Sequence, residues 1–397
     1  MLESFTGHLD KRISLYLREM ITGAKNMKRI IKNRIVGFAL AVVGVIIMLV
    51  YLKNTSVAFE KMDQVVFFTE NHAEEEYFLT SRFDFVVQCI RANESVSGQI
   101  SLGKPISIIG TTALYAPVYN DGKCRWIITV GKKDGDFFIN WRKGFADILN
   151  ELESGRYYFK LEDNGDTYII GTGRKILIDS EYNRDQIGTI LPNDSEIINT
   201  SEMQFANISD SVSINEEEPM RSVQTVCLSM DNPSFPNGGR YGYCWLCTAC
   251  DISKFYGGSN VDLDDAHALV HGTYAQGFHS KTYCTSGSFS DMSNIVNYYT
   301  QKTGDFISSP LSLSSVISEI QGSKPIASGW HYGNNKHMMV VCGYSYDNST
   351  GVVAYIIKDS NYNEGYCYAY GMDNSSVVNY YINGNVYVWS ESKYNWH

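Results

Sequence analysis

Residues 241–256 read YGYCWLCTACDISKFY and carry Cys244, Cys247 and Cys250 at intervals of three. The Gly- and Tyr-containing run before Cys244 is loop chemistry, and the stretch from Cys244 to about Tyr256 reads as a helix. On one continuous helix Cys247 and Cys250 fall on roughly one face, where small thiols pack well in a core. Cys244 stands apart because it would start the helix. A thiol there feels the positive end of the macrodipole, which lowers its pKa and favours the thiolate. Reading the run as Cys-x-x-Cys-x-x-Cys cluster ligands fails for want of the Cys-Pro completion of bacterial ferredoxins.

A thiolate nucleophile needs an imidazole partner and an orienting group. Downstream of Cys244, helices are expected at 262–271, 291–302 and 312–321. From Pro325 the character switches to strands: PIASGW, HMMVVCGYSY, VVAYIIK, GYCYAY and VYVW. Helices first and an antiparallel sheet second is an α+β arrangement. His337 opens HMMVVCGY, at the mouth of an apolar strand followed by Gly343 and a turn. Twenty-two residues on, YIIKDS places Asp359 at the end of the next apolar strand. Two adjacent antiparallel strands would present His337 and Asp359 side by side. Asp359 would accept from one ring nitrogen, leaving the other for Cys244. His331, six residues before His337, is the reserve candidate. His267 and His271 lie four apart in DDAHALVH, but the glutamate of His-Glu-x-x-His is missing. They read as a solvated or capping pair, so no metal or other cofactor is expected.

These residues carry a resemblance. Cys244-Trp245 with Thr248-Ala249 looks like the active-site helix of papain-like cysteine peptidases, and CWLCTACDISKFY is similar to the corresponding helix of streptopain and staphopain. KHMMVVCGY resembles the family's His strand, and YIIKDSNYNEGY its Asn/Asp strand with the Gly-Tyr after it. The bacteriocin-processing peptidases, which use Cys, His and Asp, share that last feature. The resemblance covers about 223–397 and implies a papain-like catalytic domain, a helical half plus an antiparallel sheet. It implies Cys244 as nucleophile, His337 as base, Asp359 as orienter, and a peptide or protein substrate. One position departs: the family's Gln six residues before the Cys, a side-chain donor to the oxyanion, is Gly238 here. Asn237 and Gln224 are the candidates for that role. Two other classes stand beside the peptidase: a peptidoglycan amidase or transpeptidase on the same fold, and a catalytically inactive surface binding module.

Upstream, residues 59–193 read as a small β-rich α+β domain, with strands expected at 100–109, 113–119, 124–130, 156–161 and 166–170. An amphipathic helix is expected at 141–153, from Phe145, Ile148, Leu149 and Leu152. Asn164-Gly165 supplies a hairpin turn. Residues 194–222 (DSE, NTSE, SDS, EEEP) read as an acidic linker. Streptopain- and staphopain-like enzymes are zymogens with a folded N-terminal region, so the resemblance implies intramolecular inhibition by residues 59–193.

The N-terminus is of another kind. Residues 1–34 hold eight basic and three acidic side chains, a basic cytoplasmic segment. Residues 35–52, IVGFALAVVGVIIMLVYL, are eighteen in a row without a charge. That is enough to span the hydrocarbon core, and the preceding cations set the N-terminus inside. A single-pass membrane protein with its catalytic domain extracellular is expected; the alternative is a secreted protein cleaved near Ala58, after Ser56-Val57. The net charge of −10 excludes nucleic acid as a partner, because phosphate contact needs clustered cations. Of nine cysteines, Cys89 and Cys124 stand alone in the first domain as a possible pair.

Overall fold

The computed structural model describes residues 65–397, apart from 71, 95, 172, 181–185, 193–204, 208–211, 214–222, 231–241, 273–285, 363–364, 374 and 376. The basic segment and the apolar stretch 35–52 lie outside the described residues. Among the described residues no helix is long and apolar enough to cross a membrane. Residues from Phe59 to His397 belong to one compact unit.

The chain is mixed α+β. In its first half β1 (Val65–Phe68) and α1 (Ala73–Glu94) precede β2 (Ile100–Leu102), β3 (Ile106–Ile109), β4 (Leu114–Asn120), β5 (Lys123–Lys133) and β6 (Asp136–Arg142). Then come α2 (Ala146–Glu151), β7 (Gly155–Leu161), β8 (Thr167–Gly171), β9 (Arg174–Asp179) and β10 (Ile190–Pro192). Short strands β11 (Phe205–Asn207), β12 (Val212–Ser213) and β13 (Gln224–Cys227) lead to α3 (Cys244–Phe255), α4 (Leu263–His271) and α5 (Phe289–Thr300). The rest is β14 (Asp305–Ile307), α6 (Leu313–Gln321), β15 (Ile326–Tyr332), β16 (Asn335–Asp347), β17 (Val352–Lys358), β18 (Cys367–Met372), β19 (Asn379–Ile382) and β20 (Asn385–Tyr394).

Helix starts follow their caps. Asp262, Ser288 and Ser312 each accept backbone N–H bonds through the side chain, so α4, α5 and α6 begin one residue later. This sets α5 two residues ahead of the expected 291–302. The helix expected over 141–153 is cut to Ala146–Glu151, because Trp141 and Arg142 complete β6 instead. The 22-residue α1, unforeseen in the sequence, packs on β5, β6 and β13.

One sheet runs through both halves. Its order is β12–β2–β4–β5–β6–β18–β17–β16–β15–β20, with β13 also on β16 and with β14 and β19 on β20. The join is β6–β18, where Trp141 faces Tyr368 and Asn140 faces Ala369. Trp141 and Tyr368 stack with ring centres 4.9 Å apart and planes 3° from parallel. Buried Asn140 donates to the Asn379 carbonyl at 3.0 Å and accepts from the Tyr381 N–H at 2.8 Å. A second sheet holds β11, β1, β7, β8, β9 and β10, tied to the first through β3. A common core contains Val86, Trp126 and Trp141 beside Ile356 and Tyr368. The stretch 194–222, read as a linker, contributes β11 and β12, which pair with β1 and β2. Cys89 and Cys124 are free and sit in different core clusters, so the pairing considered for them is not formed.

No turn follows Gly343. The strand continues to Asp347, and the β16–β17 register shifts between Val341 and Gly343. A Cβ at Gly343 would lie 2.6 Å from the Val226 carbonyl and 2.9 Å from the Cys227 Cα. Backbone cannot yield as a side chain can, so Gly343→Ala is expected to lose about 1–3 kcal/mol by pushing β13 off β16. Urea unfolding with an unchanged m-value checks this.

Candidate active site

Gly242 takes φ +81°, which turns the incoming loop so that Cys244 becomes the first residue of α3. The N-cap residue Tyr243 offers no side-chain cap, and the first turn holds no acidic residue. The unsatisfied N–H groups and dipole of that turn therefore face the Cys244 end. Cys244 is 6% exposed, whereas Cys247 and Cys250 are fully buried. Burial pushes the Cys247 and Cys250 thiols well above the ordinary value, so they are inert packing groups. Helix α3 lies against β15 and β16 and against α4 and α5.

His337 stands near the start of β16, and Asp359 follows the last residue of β17. His337 Nε2 and Asp359 Oδ1 are 2.7 Å apart, and both residues are buried. Asp359 Oδ1 also accepts from the Asn361 N–H at 2.8 Å. With Nε2 engaged, Nδ1 is left for the Cys244 thiol, which shares a hydrogen bond with the imidazole. Burial opposes charge on the ring. The Asp359 carboxylate and Cys244 outweigh it and raise the His337 pKa from 6.5 to about 10. A thiol, an imidazole and a carboxylate in this sequence can move a proton from sulfur to nitrogen and hold the resulting cation.

The structure thus brings Cys244, His337 and Asp359 together. It does not bring Gln224, which is exposed and pairs with Tyr346, nine residues along β16 from His337. At about 3.3 Å per residue that is roughly 30 Å away. Asn237 and Gly238 lie outside the described residues. His331 is 41% exposed and meets Glu391 at 3.7 Å, in a surface group with Lys336. His267 is buried, not solvated. Its ring packs against Tyr243 at 5.7 Å and His271 at 4.9 Å, while His271 meets Trp245 edge-on at 5.6 Å. The two histidines thus wall the start of α3. Among the described residues no group of three His, Cys, Asp or Glu side chains could hold a metal ion.

Two neighbours of His337 escaped sequence reading. Asn361 places its side-chain amide 3.3 Å from His337 Nε2. The β16–β17 register, continued past Val340–Lys358, sets Asn361 opposite His337. Tyr387 on β20 presents its ring edge-on, 6.3 Å from the imidazole.

No family model matches the sequence. No curated protein sequence matches it either. Among the solved structures that resemble it is a protein from Bacillus anthracis described as a C39-like peptidase. That match has 12% identity and a TM-score of 0.25, and covers 37% of this chain and 98% of the other.

Proposed function

We propose that this chain is a cysteine peptidase that hydrolyses peptide bonds outside the cytoplasm, held at the membrane by residues 35–52. The observation that carries the reading is the Cys244–His337–Asp359 chain, with the thiol at a helix start. The Cys244 thiolate attacks the scissile carbonyl carbon, and the oxyanion collapses with loss of the amine, which takes its proton from the His337 imidazolium. The thioester is then hydrolysed by water, whose proton returns to His337, and the acid product leaves. The N–H groups of the first turn of α3 would donate to the oxygen as its charge develops. The test is cleavage of a fluorogenic peptide library together with labelling by an epoxide-type thiol-peptidase inhibitor. Label on Cys244 with peptide cleavage supports the reading. Cleavage of muropeptides alone redirects it to an amidase, and no labelling removes it.

The pH dependence has a definite sign. The imidazolium, stabilised by Asp359, persists to about pH 10, so the proton it gives the leaving amine, and with it peptide turnover, is lost only as pH rises through that region. The same group adds stability that is full below 6.5 and lost as pH rises through about 10. Asp359→Ala removes the attraction that opposes desolvation, so the basic limb moves to lower pH. Asp359→Asn can still accept from Nε2 and is expected to keep about tenfold more activity than Asp359→Ala. The pH dependence of kcat/KM on one fluorogenic peptide checks both statements. Wild-type rates in both variants would leave a Cys–His dyad.

A further inference from the structure

We propose that Arg142 and Asp179, on two strands of the N-terminal half, are positioning residues that hold the 359–362 turn and thereby the His337–Asp359 pair. The inference rests on the peptidase reading of that pair.

The turn is short and closed. The Tyr362 N–H donates to the Asp359 carbonyl at 2.9 Å, and the Asn361 N–H donates to Asp359 Oδ1 at 2.8 Å. The orientation of the Asp359 carboxylate therefore depends on where Tyr362 is fixed. Tyr362 is 5% exposed, and the Arg142 guanidinium lies 3.8 Å from its ring centre. Its hydroxyl meets Asp179 Oδ2 at 3.4 Å, and Arg142 Nη2 donates to that same oxygen at 2.8 Å. One carboxylate oxygen at the end of β9 thus gathers a cation from β6 and a phenol from the turn. Tyr115 and Tyr381 also neighbour this group, and burial keeps both phenols protonated.

Burying an ion pair adds little net stability, because desolvation cancels most of the attraction. What such a pair supplies is geometry. A guanidinium fixed by one carboxylate and stacked on a ring defines both the plane and the depth of that ring. The residue so defined lies three positions after Asp359. Arg142 and Asp179 both meet Tyr362, the last residue of the turn, and act on Asp359 through it.

The test uses the full-length protein and the variants Arg142→Met, Arg142→Lys and Tyr362→Phe. On one fluorogenic peptide kcat and KM are followed against pH, and iodoacetamide labelling read by mass spectrometry locates the reactive thiol at Cys244. Circular dichroism supplies the folded fraction. If the turn loosens in Arg142→Met, Asp359 supports the imidazolium less, and the basic limb moves down by about one pH unit. In the same variant kcat falls by about 10–100-fold with KM little changed, as misplacement of a reacting group does. Arg142→Lys keeps the charge without the stacked plane, so it recovers part of both. A basic limb that stays put in folded Arg142→Met overturns the proposal. If that variant does not fold, Tyr362→Phe decides, with a smaller shift of the same sign expected and an unmoved limb against. A wild-type protein with no basic limb in kcat/KM, or one whose label misses Cys244, overturns the reading of the site itself and is thereby told apart.

Discussion

Cys244→Ala is expected to lower turnover by about 10⁵-fold or more, the scale on which loss of a catalytic nucleophile acts. Cys247→Ala and Cys250→Ala, on the same helix, are expected to leave kcat within about twofold and to lose about 1–2 kcal/mol of stability each. The contrast follows from position. All three thiols are mostly buried, so exposure alone does not rank them. Cys247 and Cys250 are surrounded by core, and burial drives their pKa values far up, which removes the thiolate. Cys244 alone sits at the helix start within reach of an imidazole that Asp359 keeps charged. Steady-state kinetics on one peptide, with thermal melts for the three variants, check the set. Full activity in folded Cys244→Ala would end the thiol mechanism. Equal losses in all three would mean that the helix matters only as core.

The parts of this site that were legible in the sequence share one property. Each announces itself locally: a cysteine where loop becomes helix, and a histidine and an aspartate at the ends of apolar strands. The neighbours that were not legible depend on register. Asn361 reaches His337 because β16 and β17 align Val340 with Lys358, and Tyr387 does so because β20 pairs with β15. Gln224 failed for the same reason, since its distance before Cys244 in sequence says nothing of its place on β16. Helix α1 was missed because its Tyr, Phe and Val residues also suit strands. Yet Leu79, Phe83, Val86, Val87 and Ile90, all buried, keep helical spacing. The β6–β18 join left no local mark, as its partners Trp141 and Tyr368 lie more than two hundred residues apart.

That join carries the second large expectation. Residues 223–397 expressed without the N-terminal half are expected to be unfolded or aggregated, not activated. Their separation would bare Tyr368, Tyr381 and Tyr362, which Trp141, Asn140, Arg142 and the residues around Tyr115 now cover. Burying a large apolar side chain is worth about 1.5–3 kcal/mol, so three together approach the whole stability of an ordinary domain. The bared β18 edge would also invite pairing with other chains. A blocker released by cutting a tether must leave through a weak interface, and a shared core joined by a strand ladder is not one. Any latency would then have to be lifted by a movement smaller than the parting of the two halves. Placing a protease site within 214–222 and cutting it should leave the two pieces together on gel filtration. Their activity should stay within about twofold of the uncut protein, because loss of one chain connection costs only loop entropy. A folded 223–397 fragment more active than the intact chain, and inhibited by residues 59–193 added back, would instead make the first half a removable inhibitor.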